Sequence, residues 1–175
     1  MSDDISTVIQ KKICMLGDFA VGKTSLVMRF VEGRFDERYL STIGVKVSRR
    51  TVELANYPPI HLLVWDLAGS EEFTGVQTSY LQGASGALLV CDLTRKGTLV
   101  GIETYAQRLR QVNPKVALIL AGNKIDLLDS REIEDNQLAE AAERLKAEWF
   151  VTSAKSGNGV AQAFERLAQE LLERK

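Results

Sequence analysis

The sequence predicts an α/β fold, in which helices cover both faces of a six-stranded, mostly parallel sheet with one antiparallel edge strand. Apolar runs of strand length alternate with segments of helical period along the 175 residues, as in chains whose parallel strands are joined by helices. Residues 86–91 and 116–121 are continuous apolar runs, which is typical of central strands buried on both faces. The turn at 56–59 contains two prolines and joins two runs closely enough for an antiparallel pair.

The apolar runs give the predicted strands. The second run is half-buried, with Val45 and Val47 on one face but Val52 and Leu54 on the other, which indicates a bulge or twist near 49–50. In chain order, we expect strands at 12–16, 45–54, 60–65, 86–91, 116–121 and 149–151.

Four helices are predicted between these strands. The first is expected at about 23–32, directly after a glycine-containing loop. The other three are indicated by apolar stripes at helical spacing, which we expect to face the core. These stripes are Ile102, Tyr105, Ala106 and Leu109; Leu138, Ala141, Ala142 and Leu145; and Val160, Phe164, Leu167 and Leu171.

The composition fits one globular domain. With 45% hydrophobic and 26% charged residues, we expect a single domain over 1–175, an ordered core over about 12–172 and a flexible N-terminal extension over 1–10. A formal net charge of −1 offers no basic face for nucleic acid. Cys14 and Cys91 lie in apolar runs, so we interpret them as small buried hydrophobes rather than redox or metal groups.

The sequence also lacks the usual signals for a membrane. No apolar stretch approaches the ~20 residues of a membrane span, and the polar start Met-Ser-Asp-Asp does not resemble a signal peptide. Residue 2 is serine and the chain closes without cysteine, so neither a myristoyl nor a prenyl anchor is expected. We therefore expect a cytoplasmic protein that reaches membranes only through a partner or an absent tail.

Residues 17–25 carry the strongest chemical motif. They fit the spacing G-x-x-x-x-G-K-[ST] between a strand and a helix, the order that a phosphate-binding loop requires. Glycines let the backbone N–H groups and the helix N-terminus point at one anion. Lys23 can reach β and γ phosphates, and the Thr24 hydroxyl can bind Mg²⁺. The predicted nucleotide-binding residues of this loop are Gly17, Asp18, Phe19, Ala20, Val21, Gly22, Lys23, Thr24 and Ser25. A chance glycine-lysine turn is the alternative.

A second motif, D-x-x-G at 66–69, ends the third strand. Open α/β sheets bind ligands at the carboxyl ends of their strands. Asp66 can hold magnesium there, directly or through water, and Gly69 can offer its N–H to a terminal phosphate. The motif is weak alone, but it gains weight by following a phosphate loop.

A third motif, N-K-x-D at 123–126, ends the fifth strand. The Asp126 carboxylate can accept two hydrogen bonds from guanine, whereas adenine offers no such pair of donors. Lys124 can lay its methylene groups over the purine. After the last strand, the segment Ser153, Ala154 and Lys155 could donate a backbone N–H to guanine O6. A polar turn is the alternative for Asn123, Lys124 and Asp126 when they are considered alone.

Together these motifs give the chain a family resemblance. From residue 12 to 172 it resembles a Ras-superfamily small GTPase, a P-loop protein that binds GTP or GDP with Mg²⁺. It is most similar to the Rab branch through Tyr-Leu-Ser-Thr-Ile-Gly-Val at 39–45, Trp65 before the aspartate, and Ser-Tyr at 79–80. The resemblance implies a small G domain that acts as a molecular switch.

The resemblance also implies roles for single residues. Thr42 would close on Mg²⁺ and the γ-phosphate, Phe35 would pack against the base, and Gly69 would begin the second switch. The loops around 34–44 and 68–80 would then loosen after hydrolysis. Effectors, an exchange factor and a GTPase-activating protein are the implied partners.

The Rab branch implies a partner surface as well. Trp65 and Tyr80 match its aromatic cluster, whereas Val47 stands where a phenylalanine is usual, which puts the standard partners in doubt. Simple packing on the sheet is the equal alternative for these side chains.

Two residues depart from the family pattern at the phosphates. Ser70 stands where the family carries the glutamine that orients the attacking water, and Phe19 stands where it carries a small residue. The phenylalanine would overhang the γ-phosphate or pack into the second switch. We predict a switch that hydrolyses GTP slowly. A non-hydrolysing guanine-nucleotide scaffold is the main alternative, and a P-loop kinase or ATPase is disfavoured because Asp126 would face the wrong edge of adenine.

Overall fold

The computed structural model describes residues 8–38, 44–67 and 75–174. Across these ranges the chain forms strands β1 Ile9–Leu16, β2 Val45–Val52, β3 Ile60–Leu67, β4 Ala84–Asp92, β5 Ala117–Asn123 and β6 Glu148–Thr152. The helices are α1 Lys23–Glu32, α2 Gly75–Tyr80, α3 Gly97–Val100, α4 Ile102–Val112, α5 Asp135–Leu145 and α6 Val160–Glu173, with a 3₁₀ turn at Leu128–Ser130.

The six strands form one sheet in the order β2-β3-β1-β4-β5-β6. The β2–β3 pair is antiparallel, and the other four pairs are parallel. This is the predicted architecture, with the antiparallel strand at one edge. The parallel strands all end at the same edge of the sheet, so the residues that follow β1, β3, β4, β5 and β6 meet there.

Helices cover both faces of the sheet. Leu26 and Val27 of α1 pack with the apolar face of α6 in one buried cluster. The faces of α4 and α5 form a second cluster on the opposite side. The three predicted helical stripes are all buried in these clusters. The strands β4 and β5 lie between the clusters, which is why their sequences are apolar without alternation.

Three details differ from the prediction. The sheet register runs unbroken from Val45 opposite Leu67 to Val52 opposite Ile60, so β2 has no bulge. Strict alternation already puts Val45 and Val52 on opposite faces, and each face meets a different core cluster. The strand β1 begins at Ile9, so residues 9 and 10 belong to the sheet. The short helices α2 and α3 were not predicted, because neither is long enough to show a helical period.

Both cysteines lie in the core. Cys14 and Cys91 are buried free thiols, and burial raises the pKa of each to about 12. They therefore remain protonated, as small hydrophobic residues would require. Among the residues that the structure describes, no helix is long and apolar enough to cross a membrane.

Candidate functional site

A cavity of about 550 Å³ opens at the carboxyl edge of the sheet. It brings together segments that are far apart in sequence: the loop after β1, the segment after α1, and the ends of β3, β5 and β6. The described residues that line it are Phe19, Ala20, Gly22, Lys23, Thr24, Ser25, Phe35, Asp36, Glu37, Arg38, Leu67, Asn123, Lys124, Asp126, Leu127, Ala154 and Lys155. We call residues 17–25 the phosphate end of this cavity, and residues 123–126 with 153–155 the base end.

The phosphate end is held through its backbone carbonyl oxygens. Lys23 Nζ donates to the carbonyl oxygens of Gly17 at 2.8 Å and Asp18 at 2.9 Å. The next three carbonyls, of residues 19, 20 and 21, accept hydrogen bonds from Arg95, Lys124 and Asn123. Because these oxygens turn toward protein donors, the wrapped loop turns its N–H groups the other way, as in an anion-binding nest.

Gly22 is needed where this loop enters α1. Its φ is +104°, and a Cβ there would lie 2.2 Å from Asn123 Nδ2. Any side chain would therefore displace the amide that donates to the Val21 carbonyl. Gly22 is the residue that precedes α1, so the positive end of that helix adds to the anion site.

Lys23 is a buried cation at the base of the loop. Burial lowers the pKa of Lys23 to about 8, against the opposing attraction of Asp66 and Asp18. The ammonium group is charged at neutral pH and contacts only the loop's own carbonyls among the hydrogen bonds described for it. A bound polyphosphate would supply the negative charge that this site favours.

Oxygen donors suited to magnesium lie beside the loop. Thr24 Oγ1 donates to Asp66 Oδ2 at 2.7 Å, and Asp66 is buried at the end of β3. A hydroxyl and a carboxylate are the hard ligands that Mg²⁺ prefers. These two predicted metal ligands therefore fit the ion, whereas Thr42 lies outside the described residues.

The base end is organised by side chains that support a single carboxylate. Ser153 Oγ donates to Asp126 Oδ1 at 2.7 Å and accepts the Ser156 N–H at 3.0 Å. Arg29 of α1 donates to the carbonyl oxygens of Ala154 at 2.8 Å and Lys155 at 2.5 Å. Ser153 is fully buried, so Asp126 is held in place from behind while it lines the cavity.

Comparison with known proteins decides the family. A sequence model described as the Ras family matches residues 12–173. The chain belongs to the Ras family. Ras-related protein Rab-13 of Rattus norvegicus is 38% identical over 162 residues, which cover 92% of this chain and 79% of the relative. Rab-13 of Canis lupus familiaris is 37% identical with the same coverage. Rab-22A of Homo sapiens is 35% identical over 162 residues, or 91% and 82% of the two chains.

These relatives put this Ras-family chain in the Rab branch of the small GTPases. The resemblance noted from the sequence is confirmed, and so is the α/β fold of a small G domain. As a member of this family the protein is a small GTPase switch.

Several predicted site residues of this Ras-family chain lie in the described ranges. Phe19 lines the cavity with 53% of its surface exposed, and Phe35 lines it while packing against the core. The side chain of Asn123 is held by Val21 and Thr152, which makes it a brace for the loop. Thr42, Gly69 and Ser70 lie outside the described residues.

Sequence reasoning missed four residues that support the site. Arg29 orients the segment 154–155, as described above. Tyr105 of α4 donates to Asp18 Oδ1 at 2.9 Å. Asp92 ends β4 and pairs with Lys124 of the base end. Arg95 follows β4, pairs with Asp92 and donates to the Phe19 carbonyl of the phosphate end. Of these four residues, only Asp92 could have been noticed in the sequence. It is an aspartate at the end of an apolar strand, as Asp66 is, and such strand ends are where α/β sheets bind ligands.

Asp92 is ionised although it is buried. Burial opposes its charge, but hydrogen bonds from Thr94, Lys124 and Arg95 outweigh that effect and hold the pKa of Asp92 below its ordinary value. A buried carboxylate with this many donors is a fixed anchor rather than a titrating group near neutral pH.

The predicted partner surface lies on the same sheet face as α4. Val47 is 48% exposed, and the rings of Trp65 and Tyr80 are 6.4 Å apart at 45°. Both aromatic residues are half-buried against the second core cluster. Lys12 lies under the Trp65 ring, 3.6 Å from its centroid, and donates to the carbonyls of Tyr80 and Gln82. The cluster therefore combines packing with partial exposure.

Proposed function

We propose that this protein is a GTP-hydrolysing molecular switch with slow unaided turnover and with partner binding through the loops around 34–44 and 68–80. One observation carries the proposal. The phosphate end and the base end line a single cavity of about 550 Å³, large enough for one small-molecule ligand. A nucleotide with its phosphates at Lys23 and its base at Asp126 would use both ends at once.

At the base end, Asp126 would accept hydrogen bonds from the ring N–H and the amino group of guanine. Its Oδ1 is already fixed by Ser153, so little side-chain freedom would be lost on binding. Lys124 Nζ is engaged by Ala20 and Asp92, which leaves its methylene groups to cover the purine. Phe35 would contact the base, and Ala154 or Lys155 would offer a backbone N–H to guanine O6.

At the phosphate end, the loop amides and Lys23 would bind the β and γ phosphates. Magnesium, held by Thr24 and Thr42 and by Asp66 directly or through water, would neutralise charge on those phosphates. Gly69 would donate its N–H to the terminal phosphate. Loss of that phosphate would release Thr42 and Gly69, which is how the partner-binding loops would sense hydrolysis.

A test of base recognition uses competition between GTP and ATP for the purified protein. We expect GTP to displace a bound fluorescent GDP analogue at far lower concentration than ATP does. The variant Asp126→Asn should lower the preference for GTP by about 100-fold, because two hydrogen bonds to a carboxylate are weakened. An unchanged preference in that variant would contradict the assignment of the base end.

Slow hydrolysis is proposed from Ser70 and Phe19. A serine side chain is too short to orient water from the position of the family's glutamine, and Phe19 adds an aromatic ring beside the phosphates. A GTPase-activating partner would then supply much of the rate, since a donated arginine is worth roughly 10³ to 10⁵ in this reaction.

The hydrolysis test compares the wild type with Ser70→Gln, each loaded with GTP. We expect the variant to release phosphate faster in single-turnover measurements. Equal or faster release by the wild type would contradict the role of Ser70.

Prolonged incubation with GTP separates the switch from the non-hydrolysing scaffold, which Ser70 and Phe19 also favour. Chromatography of the bound nucleotide should reveal GDP at a reproducible rate if the protein is a switch. Retention of intact GTP would favour the scaffold.

Partner binding is proposed for the surface formed by Val47, Trp65 and Tyr80. Its valine leaves more room than the usual phenylalanine, so we expect an effector whose contact side chain fills that space. Exchange factors and activating proteins would act on the neighbouring switch loops. Because the surface adjoins both loops, its binding should depend on which nucleotide is present.

A further inference from the structure

Asp92 connects the two ends of the cavity. It ends β4 with 1% of its side chain exposed. Its Oδ1 accepts the N–H of Thr94 at 2.9 Å and the Thr94 hydroxyl at 2.7 Å. Its Oδ2 accepts from Arg95 Nε at 3.0 Å and pairs with Lys124 Nζ at 2.9 Å. One buried carboxylate thus anchors two cations.

Each of these cations reaches on to the phosphate loop. Arg95 Nη2 donates to the Phe19 carbonyl at 2.9 Å, and Lys124 Nζ donates to the Ala20 carbonyl at 3.0 Å. The two carbonyls are consecutive in the loop. Lys124 belongs to the base end, whereas Arg95 belongs to the segment between β4 and α3 and does not line the cavity.

We propose that Arg95 is a positioning residue, which fixes the phosphate loop by bridging Asp92 and the Phe19 carbonyl. The bridge holds the peptide after Phe19 with its oxygen outward, so the N–H of the same peptide points into the loop. The inference rests on the proposed nucleotide site and extends it to a residue outside the cavity. It predicts that Arg95 governs affinity for a β-phosphate without contacting the nucleotide.

An arginine suits this bridge because its donors are separate and rigidly spaced. Nε contacts Asp92 while Nη2 contacts Phe19, and both belong to one planar group. A lysine at 95 would keep the positive charge, but it would have to reach both acceptors from one nitrogen, whereas Arg95 reaches them from two nitrogens of a planar fork. The lysine variant therefore separates bridging from simple electrostatic attraction.

Electrostatic attraction is the rival explanation. The Arg95 side chain is 44% exposed; burial is the main cause of the lowered pKa of Lys23, and the charge of Arg95 adds a smaller effect in the same direction. A charge near the phosphates could raise affinity at a distance. Lysine at 95 would preserve that effect, whereas it would not restore the bridge.

The experiment measures dissociation constants for GDP and GMP by competition with a fluorescent GDP analogue, at fixed Mg²⁺ and salt. GDP carries the β-phosphate that the loop would encircle, and GMP does not. The variants are Arg95→Gln and Arg95→Lys. The matched control is Arg144→Gln, which removes an exposed arginine that pairs with Glu103 away from the cavity. Thermal unfolding of each variant checks that the fold is retained.

We expect both Arg95 variants to bind GDP about tenfold more weakly than the wild type, since one charge-assisted hydrogen bond to the loop is lost. Binding of GMP should change less than about twofold on the same reasoning. Arg144→Gln should match the wild type for both ligands.

Three results would overturn the inference: restored GDP binding in Arg95→Lys, equal losses for GDP and GMP, or unchanged GDP binding in Arg95→Gln. If the wild type bound no guanine nucleotide, the proposed function would fall together with this inference. If the wild type binds GDP and the Arg95 variants match it, the inference alone is wrong.

Discussion

The two ends of the cavity are built on different plans. At the phosphate end, five consecutive backbone carbonyls accept from Lys23, Arg95, Lys124 and Asn123, so the loop itself is the fixed object. At the base end, the fixed object is the side chain of Asp126, held by Ser153. One end presents a shaped backbone and the other presents one carboxylate.

This difference separates affinity from selectivity. At the phosphate end, many N–H groups and one cation would contact the phosphates. Loss of one of these groups should therefore weaken binding of any nucleotide with those phosphates. At the base end, few groups would contact the base. Loss of one of these groups should therefore change which base is preferred. Variants at the two ends should therefore fail in different ways.

The largest effect is expected for Lys23→Met. Removing the buried cation should weaken binding of both GDP and GTP by about 100-fold or more, because two or more charge-assisted contacts to phosphate are lost. The ratio of GTP to ATP affinity should stay the same. Titration with fluorescent nucleotides measures both quantities, with Lys115→Met on the surface as the control. A changed ratio would break the separation of the two ends.

Ser153→Ala should produce the converse result. Asp126 loses its buried hydroxyl donor, so the preference for GTP over ATP should fall about tenfold. The exposed Ser156→Ala is a matched control, since its hydroxyl accepts from Asn158 rather than donating to Asp126. Competition assays give the ratio, and a uniform loss for both nucleotides would show that Ser153 only supports the fold.

A smaller effect is expected from pH. The pKa of Lys23 is lowered to about 8, and bound phosphate would raise it, since an opposite charge favours the ammonium form. Binding therefore takes up a proton above pH 8. Affinity for GDP should be flat from pH 7 to 8 and should then fall with rising pH, by at most about tenfold per unit. Lys23→Met should lose this dependence, and a persistent slope in that variant would assign it to another group.

The smallest effect is expected from Ala20→Gly. Ala20 has a φ of +59°, a left-handed conformation that costs a non-glycine residue about 1 kcal/mol. Glycine should raise the Tm by about 2–4 °C, measured with saturating GDP.

Lys146→Gly tests whether that gain is local strain or a property of the site. Lys146 has a similar φ of +54° but ends α5, away from the cavity. Both variants should gain Tm, and GDP affinity should stay within about twofold of the wild type on this reasoning. A lowered Tm in Ala20→Gly would mean that the alanine methyl group stabilises the loop.

Much of the fold and of the cavity could be predicted from the sequence. The strands β4 and β5 were evident because burial on both faces demands an unbroken apolar run. The three helical stripes were evident because each helix buries one face. A wrapped loop over 17–25 could be predicted because such a loop needs glycine at Gly22, where the structure leaves no room for a Cβ.

The rest depended on contacts that no local pattern encodes. A bulge or twist was predicted in β2, and its unbroken register shows no bulge; the pattern alone does not reveal that both faces of the strand meet a core. Tyr105 was assigned to the core stripe of α4, and it is buried there, yet its hydroxyl reaches Asp18. In the sequence, Arg29 cannot be told from a solvated arginine near the end of a helix. In the fold, α1 lies beside the segment 154–155, and Arg29 donates to its carbonyl oxygens.

By itself, the sequence determined which groups we propose for binding a guanine nucleotide and at which strand ends they stand, because motif spacing and hydrophobic period act over a few residues. The tertiary structure alone decided how those groups are braced. Asp92, Arg95 and Lys124 meet because parallel pairing puts Asp92 opposite Asn123 in the sheet, which brings β4, β5 and the phosphate loop to the same edge. The contacts of Lys124 reach residues 32 and 104 positions away, and only the register of the sheet brings them together.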